Sequence, residues 1–215
     1  MNIYFIKTPK IFKILFSNFI WDVPSDEKVV YLTFDDGPTP EITEWTLNQL
    51  KKFDAKATFF CIGKNIENNP LIFSKILNEG HVVANHTFDH LNGWKTTDSD
   101  YLKNINFETQ NVEKNNDNKN NKLKQLFRPP YGRIKFSQAE KIRKLGFKIV
   151  MWDIISGDFD ATISPEKCFR NATKKIQNGS IIVFHDSQKA FRNLEFALPK
   201  TLEFLKQNGF SCGVI

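Results

Sequence analysis

Short runs of β-branched and aromatic residues alternate with stretches of helical spacing along this chain, and this alternation limits its possible folds more than any other feature. Seven such runs follow Pro24, at residues 29–34, 58–62, 81–85, 126–128, 147–152, 180–184 and 210–215. Apolar residues at helical spacing fill residues 41–53, 70–79, 137–145, 165–177 and 192–208. Repeated strand–helix units are typical of parallel β-sheets.

The positions of glycine between these units favour a barrel. Four runs follow a glycine that ends a helical stretch, namely Gly80, Gly146, Gly179 and Gly209. Glycine takes the left-handed conformation that ends a helix without steric cost. Because no glycine-rich phosphate loop follows the first run, a doubly wound sheet is disfavoured. The pattern therefore predicts a closed or partly closed α/β barrel of seven strands.

Composition fits one soluble, packed domain. The chain has 215 residues, of which 40% are hydrophobic and 25% charged, and this length favours one domain over two. The net charge is +6, but the lysines are spread out, so we expect no nucleic-acid partner. Cys61, Cys168 and Cys212 lack the paired spacing of a zinc or redox motif, and we expect buried thiols.

The first 24 residues differ from the rest. Apolar residues run from Ile11 to Trp21, but Lys13 interrupts them and no small-residue cleavage site follows, so we expect neither a signal peptide nor a transmembrane span. We expect residues 1–24 to pack on a catalytic domain formed by residues 25–215. The alternative is an amphipathic membrane-surface anchor carrying Lys7, Lys10 and Lys13. A cytoplasmic or peripherally envelope-associated protein is expected.

Residues 104–124 do not follow the alternation of strand and helix patterns. They are rich in Asn and Lys and contain few residues to bury, with Asn115, Asn116, Asn118, Asn120 and Asn121 close together. This composition predicts an exposed loop or mobile insert at the centre of the stretch.

Polar residues gather where the predicted strands end. These residues are Asp35, Asp36, His86, Arg128, Asp158 and His185. In a parallel β/α barrel the reacting groups lie at the carboxyl ends of the strands. One functional site at that end is therefore predicted.

Two of these positions suggest a metal. Asp35 and Asp36 are adjacent carboxylates, and such a pair at the end of an apolar strand is stabilised by a cation. His86 and His90 are four residues apart, so both imidazoles share one face if the backbone there is helical. One Asp with two His gives three protein ligands and leaves a position for water. His81 begins a strand without a partner at ligand spacing, and we expect it to be structural.

Arg128 and His185 are candidates for further catalytic roles. Arg128 precedes the rigid segment Pro129-Pro130-Tyr131-Gly132, where its guanidinium could hold a carboxylate ionised and oriented while the turn presents an N–H to an oxyanion. His185 follows an apolar run, where an imidazole can act as a general acid.

Taken together, these segments resemble the polysaccharide deacetylase family, the NodB homology domain of carbohydrate esterase family 4. The resemblance covers about residues 28–215 and rests on five motifs in the family's order, at residues 33–37 (TFDDG), 86–90 (HTFDH), 128–131 (RPPY), 152–159 and 183–186 (VFHD). It implies a single-domain distorted (β/α)7 barrel.

The resemblance also implies the site residues. It makes Asp35 the general base and His185 the general acid. Arg128 would hold Asp35, and Asp158 would orient His185. The metal ligands would be Asp36, His86 and His90, holding one divalent ion, with Zn²⁺ preferred and Co²⁺, Ni²⁺, Mn²⁺ or Fe²⁺ able to replace it. The N–H of Tyr131 would help bind the oxyanion.

Three positions depart from the pattern of many relatives. Ile155 stands in place of an acid, Phe159 in place of Trp and Val183 in place of Leu. With Tyr131, Phe159 and Val183 are the predicted substrate-binding residues. The expected activity is metal-dependent removal of N-acetyl groups from an N-acetylated glycan. Four alternatives stay open: an O-acetyl esterase, a non-sugar amide hydrolase, a binuclear metallophosphoesterase and a catalytically impaired carbohydrate-binding domain.

Overall fold

One curled parallel sheet organises the chain. The computed structural model describes residues 4–115 and 124–215. Within them the strands are β1 Val29–Asp36, β2 Ala57–Cys61, β3 Val82–Asn85, β4 Leu126–Phe127, β5 Lys148–Ile149, β6 Ile154–Ile155, β7 Ile181–His185 and β8 Ser211–Cys212. The order in the sheet is β5-β4-β3-β2-β1-β7-β6, and β8 pairs with β1. This seven-stranded half-barrel confirms the predicted distorted (β/α)7 fold in one domain.

Helices cover the outside of the sheet. They are α1 Lys10–Leu15, α2 Ile42–Lys52, α3 Gly63–Asn68, α4 Pro70–Asn78, α5 Asp98–Asn115, α6 Phe136–Lys144, α7 Pro165–Thr173 and α8 Phe191–Gln207. Alternate residues of each strand face opposite sides. Phe34, Phe59 and Phe184 therefore pack outward in the helix-facing core, while Phe60 and Ile181 fill the barrel interior. Both faces are buried, which explains the near-continuous apolar runs.

Several sequence predictions need correction. The run 210–215 gives only the short β8 on β1, and the seventh strand of the main sheet is β6, which was not predicted. The run 147–152 is a strand only at Lys148–Ile149, and the next residue, Val150, forms an isolated bridge with Ile20. Gly80, Gly146, Gly179 and Gly209 all have positive φ as expected.

The predicted loop at the centre of residues 104–124 is only partly covered by the described residues. Helix α5 takes up the first part of this stretch and continues to Asn115, and near its start Tyr101 and Ile105, one turn apart, are buried against the barrel. The positions Asn116, Asn118, Asn120 and Asn121 lie outside the described residues.

The N-terminal residues run between the two ends of the sheet. On one side Ile20 forms a parallel bridge with Val150, beside β5, and on the other Lys7 forms an antiparallel bridge with Ile154 of β6. The buried Asp153 accepts from Lys7 at 2.5 Å and from Lys13 at 2.6 Å. Two of the three lysines of the surface-anchor alternative thus bind the barrel. Among the described residues, the helices are all too short or too polar to cross a bilayer.

Candidate active site

The parallel sheet brings the predicted polar residues to one edge. β1 ends in Asp35 and Asp36, and β7 ends in His185, which is the register partner of Asp35. His86 directly follows β3, and Arg128 directly follows β4. Asp158 lies three residues beyond β6 and contacts His185. Carboxyl ends of parallel strands meet at one face of a barrel, so residues that are far apart in sequence converge there.

Asp36, His86 and His90 form a cluster that fits a divalent cation. One ligand atom from each residue lies within 4.8 Å of the others, and Oδ1 of Asp36 is 3.4 Å from Nε2 of His90 and 3.9 Å from Nε2 of His86. That oxygen is buried and has no hydrogen-bond partner among the residues that the structure describes. Leaving a buried carboxylate oxygen unpaired is costly, and a cation between the three groups would satisfy it. One carboxylate with two imidazoles is a donor set that suits zinc.

Both imidazoles are suited to ligation. Nδ1 of His86 lies 2.7 Å from the carbonyl oxygen of Arg128. Because a carbonyl only accepts, Nδ1 carries the proton and the lone pair of Nε2 faces Asp36. Burial, assisted by His90, lowers the pKa of His86 well below its usual value, and burial also lowers the pKa of His90. Neutral imidazole is the form that binds a metal.

The segment between the two histidines is not helical, which corrects the sequence argument. Thr87 and His90 have left-handed φ values of 65° and 56°, so the loop turns back on itself and a shared helical face plays no part. Asn104 of α5 holds this loop: its Oδ1 accepts from the N–H groups of Phe88 at 2.8 Å and Asp89 at 3.0 Å. Its Nδ2 donates to the Asp89 carboxylate at 2.7 Å.

Asp35 is held by a fully buried arginine. Nη1 of Arg128 donates to Oδ1 of Asp35 at 2.6 Å and to the hydroxyl of Thr33 at 2.8 Å. Nη2 donates to the carbonyl of Met151 at 2.8 Å, and the guanidinium lies 4.0 Å from the centre of the Phe60 ring. A charge-assisted bond to a fixed guanidinium orients the carboxylate. Asp35 is therefore fixed at the barrel mouth.

The backbone after Asp36 turns tightly against the last motif. The N–H of Gly37 donates to Oδ1 of Asp186 at 3.0 Å, and Asp186 also accepts from Thr43. A Cβ at position 37 would lie 2.0 Å from Oδ2 of Asp186. Only glycine fits this close approach of the backbone to Asp186.

His185 is paired with a buried carboxylate. Asp158 accepts from the backbone N–H of His185 at 2.6 Å and lies 2.8 Å from Nδ1 of the ring. Burial alone would lower the pKa of His185, but the charge and hydrogen bond of Asp158, with smaller contributions from Asp36 and Asp35, outweigh it and raise the pKa to about 9. A protonated imidazole beside a cleft is able to donate a proton.

The three predicted substrate-binding residues surround this edge. Tyr131 has a left-handed φ of 60°, and its largely exposed ring lies 4.6 Å from that of His90. Phe159 lies between Tyr4 and His185, with ring centroids at 5.3 Å and 5.1 Å. Val183 is buried beside Thr33, two register pairs below Asp35 and His185.

Some contacts that shape the site were not predicted from the sequence. Thr33 and Phe60 hold Arg128 inside the barrel, Asn104 holds the loop of the histidines, and Asn65 donates to the carbonyl of Asp36 at 2.7 Å. Asn65 and Asn104 lie on helices, and no motif marks them. His81, in contrast, is structural as expected: its Nδ1 accepts from the N–H of Ala57 at 3.2 Å.

Comparisons with known proteins agree with this geometry. The sequence profile of the family described as Polysaccharide deacetylase matches residues 22–150. A peptidoglycan-N-acetylglucosamine deacetylase of Bacillus cereus is 33% identical over 195 residues, which cover 88% of this chain and 87% of that protein.

Solved structures share the fold. The crystal structure of the Bc1960 peptidoglycan N-acetylglucosamine deacetylase superposes with a TM-score of 0.86 and 30% identity, covering 97% of this chain and 95% of that one. A mutant of BA3943, described as a CE4 family pseudoenzyme with restored enzymatic activity, has a TM-score of 0.80 and 26% identity, covering 91% of this chain and 69% of that one.

Proposed function

Because the chain belongs to the polysaccharide deacetylase family, we propose that it removes N-acetyl groups from an N-acetylated glycan and releases acetate. The observation that carries this proposal is the buried, unpartnered oxygen of Asp36 facing the Nε2 atoms of His86 and His90. It supports one divalent metal ion per chain, with zinc preferred. When bound, such an ion lowers the pKa of water toward about 7 and polarises a carbonyl.

In the proposed mechanism each remaining residue has one task. Asp35, fixed by Arg128, accepts a proton from the water that attacks the acetyl carbonyl carbon. The backbone N–H of Tyr131 donates to the oxygen that becomes negative, and one such donor is typically worth about 3–4 kcal/mol of barrier. His185, held by Asp158, gives a proton to the departing nitrogen. The C–N bond breaks, and the products are acetate and a free amine on the sugar.

The proposed substrate is an N-acetylglucosamine residue of peptidoglycan. This choice rests on relatives that are named as deacetylases of that unit. Such a substrate lies in the cell envelope, which favours the envelope-associated alternative and makes a cytoplasmic location doubtful. Phe159 and Val183 would line the position of the sugar and its acetyl methyl.

A second candidate is a domain that binds glycan without cleaving it. Two observations favour this candidate. One structural relative is a mutant of a pseudoenzyme, and Ile155 stands in place of an acid. Against it, the proposed base, acid and metal-ligand positions are all occupied by competent residues. An O-acetyl esterase would use the same groups on an easier bond.

The test is acetate release from a panel of substrates by metal-reconstituted protein. The panel contains peptidoglycan, N-acetylglucosamine oligomers, O-acetylated xylan and a simple acetamide. We expect acetate together with an equal amount of new amine from the N-acetylated glycans. Acetate from xylan alone would support the esterase, and glycan binding without acetate would support the binding domain.

A further inference from the structure

An apolar groove opens beside the proposed active site. It has a volume of about 180 Å³, and its lining includes Tyr4, Phe5 and Phe12 on one side and Tyr131, Trp152 and Ile155 on the other. Phe5 is 58% exposed, and the Phe5 and Phe12 ring centroids are 5.9 Å apart. Exposed aromatic residues grouped around a groove mark a binding site more often than a solvated surface.

The groove adjoins the cluster of Asp36, His86 and His90 through one residue, Tyr131. Tyr131 lines it and also lies against His90, at 4.6 Å between ring centroids. Trp152 supports this rim, since a Cβ at Gly132 would lie 2.6 Å from its ring. Tyr131 is therefore common to the proposed active site and the groove.

The N-terminal wall is built into the protein. The N–H of Ile155 donates to the carbonyl of Ile6 at 2.9 Å, and the N–H of Thr8 donates to the carbonyl of Asp153 at 2.8 Å. The ion pairs of Asp153 with Lys7 and Lys13 hold the same segment. The aromatic side chains of this wall are thus presented by a fixed backbone, which lowers the entropic cost of binding.

Two departures from the family pattern face this segment. Ile155 lines the groove, and Phe159 packs on the ring of Tyr4 at 5.3 Å between centroids. An apolar side chain at 155 keeps the lining uncharged. Two of the three departures, Ile155 and Phe159, thus lie against the N-terminal residues, whereas Val183 does not line the groove.

We propose that this groove binds a sugar ring adjacent to the N-acetyl sugar that reacts, so that the N-terminal residues are part of the substrate-binding surface. The proposal rests on the proposed glycan deacetylation. An uncharged aromatic lining suits the C–H faces of a pyranose and not a charged peptide. The volume is below the roughly 300–1,000 Å³ of pockets that enclose drug-sized ligands, so the groove takes one ring of the glycan.

The test compares Phe5→Ala with two controls in the full chain. Phe5→Tyr keeps the ring, and Ile14→Ala removes an apolar side chain that is 69% exposed on α1 but does not line the groove. Acetate release from the N-acetylglucosamine pentasaccharide gives KM and kcat. Quenching of tryptophan fluorescence gives the pentasaccharide Kd, and Trp21 and Trp152 in the groove report on it.

We expect Phe5→Ala to raise both KM and Kd about fivefold or more, with kcat changed less than about twofold, because binding is lost equally from ground and transition states. Phe5→Tyr should restore both values, Ile14→Ala should match wild type, and all melting temperatures should stay close together. If folded Phe5→Ala keeps the wild-type KM and Kd, the proposal that the groove binds sugar is wrong. The proposed deacetylase activity is not affected by that result. If wild type releases no acetate, the proposed function fails, and the Kd comparison alone decides whether the groove binds sugar.

Discussion

Asp35 and His185 are register partners at the carboxyl ends of the adjacent parallel strands β1 and β7. Each is held from the side by a buried group: Arg128 donates to Asp35 at 2.6 Å, and Asp158 lies 2.8 Å from Nδ1 of His185. A register slip of one residue would turn either side chain to the other face of the sheet. The proposed base and acid are thus placed by the sheet itself.

The pairing of His185 with Asp158 predicts a pH effect. His185 must be protonated to donate, so activity falls as pH rises through its pKa, which Asp158 helps raise to about 9 in the metal-free protein. A bound divalent cation would lower that value by repulsion. Asp158→Asn removes a charge that favours the protonated ring, so the basic limb of kcat/KM should move to lower pH. A pH–rate profile that keeps its basic limb in this variant would contradict the role of the pair.

The burial of the Arg128–Asp35 pair predicts that loss of Arg128 lowers the free energy of unfolding. Arg128→Leu leaves the Asp35 carboxylate buried without its partner, and removing one member of a buried pair typically costs about 3–5 kcal/mol. Urea denaturation should show this loss in the free energy of unfolding. The double variant with Asp35→Leu should be more stable than Arg128→Leu alone, since no uncompensated charge remains. Equal stability of the single and double variants would argue against a stabilising ion pair.

The contacts of Asn104 predict an indirect effect of this residue on metal affinity. Its side chain binds Phe88 and Asp89 between the two histidines but does not contact the ligands. Loss of such outer partners typically costs 10–100-fold in metal affinity, so Asn104→Ala should weaken zinc binding by about that factor in competition with a chromophoric chelator. Asn106→Ala, an exposed position on the same helix, is the matched control. Equal affinities in the two variants would show that the loop does not depend on Asn104.

The barrel and the strand-end residues were predictable because both follow from local pattern. Parallel strands put their carboxyl ends together, so Asp35, His86 and His185 could be placed at one edge from the sequence alone. The spacing of His86 and His90 suggested a shared ion, although the helical reason for it was wrong. The loop between them instead has positive φ at Thr87 and His90 and is bonded to Asn104 of the following helix, a contact that the spacing of the histidines does not reveal.

Other features depend on long-range contacts that no local pattern contains. Strand β6 has only two residues and follows β5 without a helix between them. Helix α5 has few apolar residues, and two of them, Tyr101 and Ile105, decide its position by burial. The path of the N-terminal residues rests on Asp153, more than 100 residues away from Lys7 and Lys13.

The most direct test of the account measures metal content and deacetylation together in three proteins: wild type, His90→Ala and His185→Ala. After reconstitution with zinc, wild type should hold one ion per chain and release acetate from N-acetylglucosamine oligomers with an equal amount of amine. His90→Ala should lose both the ion and the activity, whereas His185→Ala should keep the ion and lose the activity. Full metal occupancy in His90→Ala, or undiminished acetate release from the chelator-stripped wild type, would contradict it.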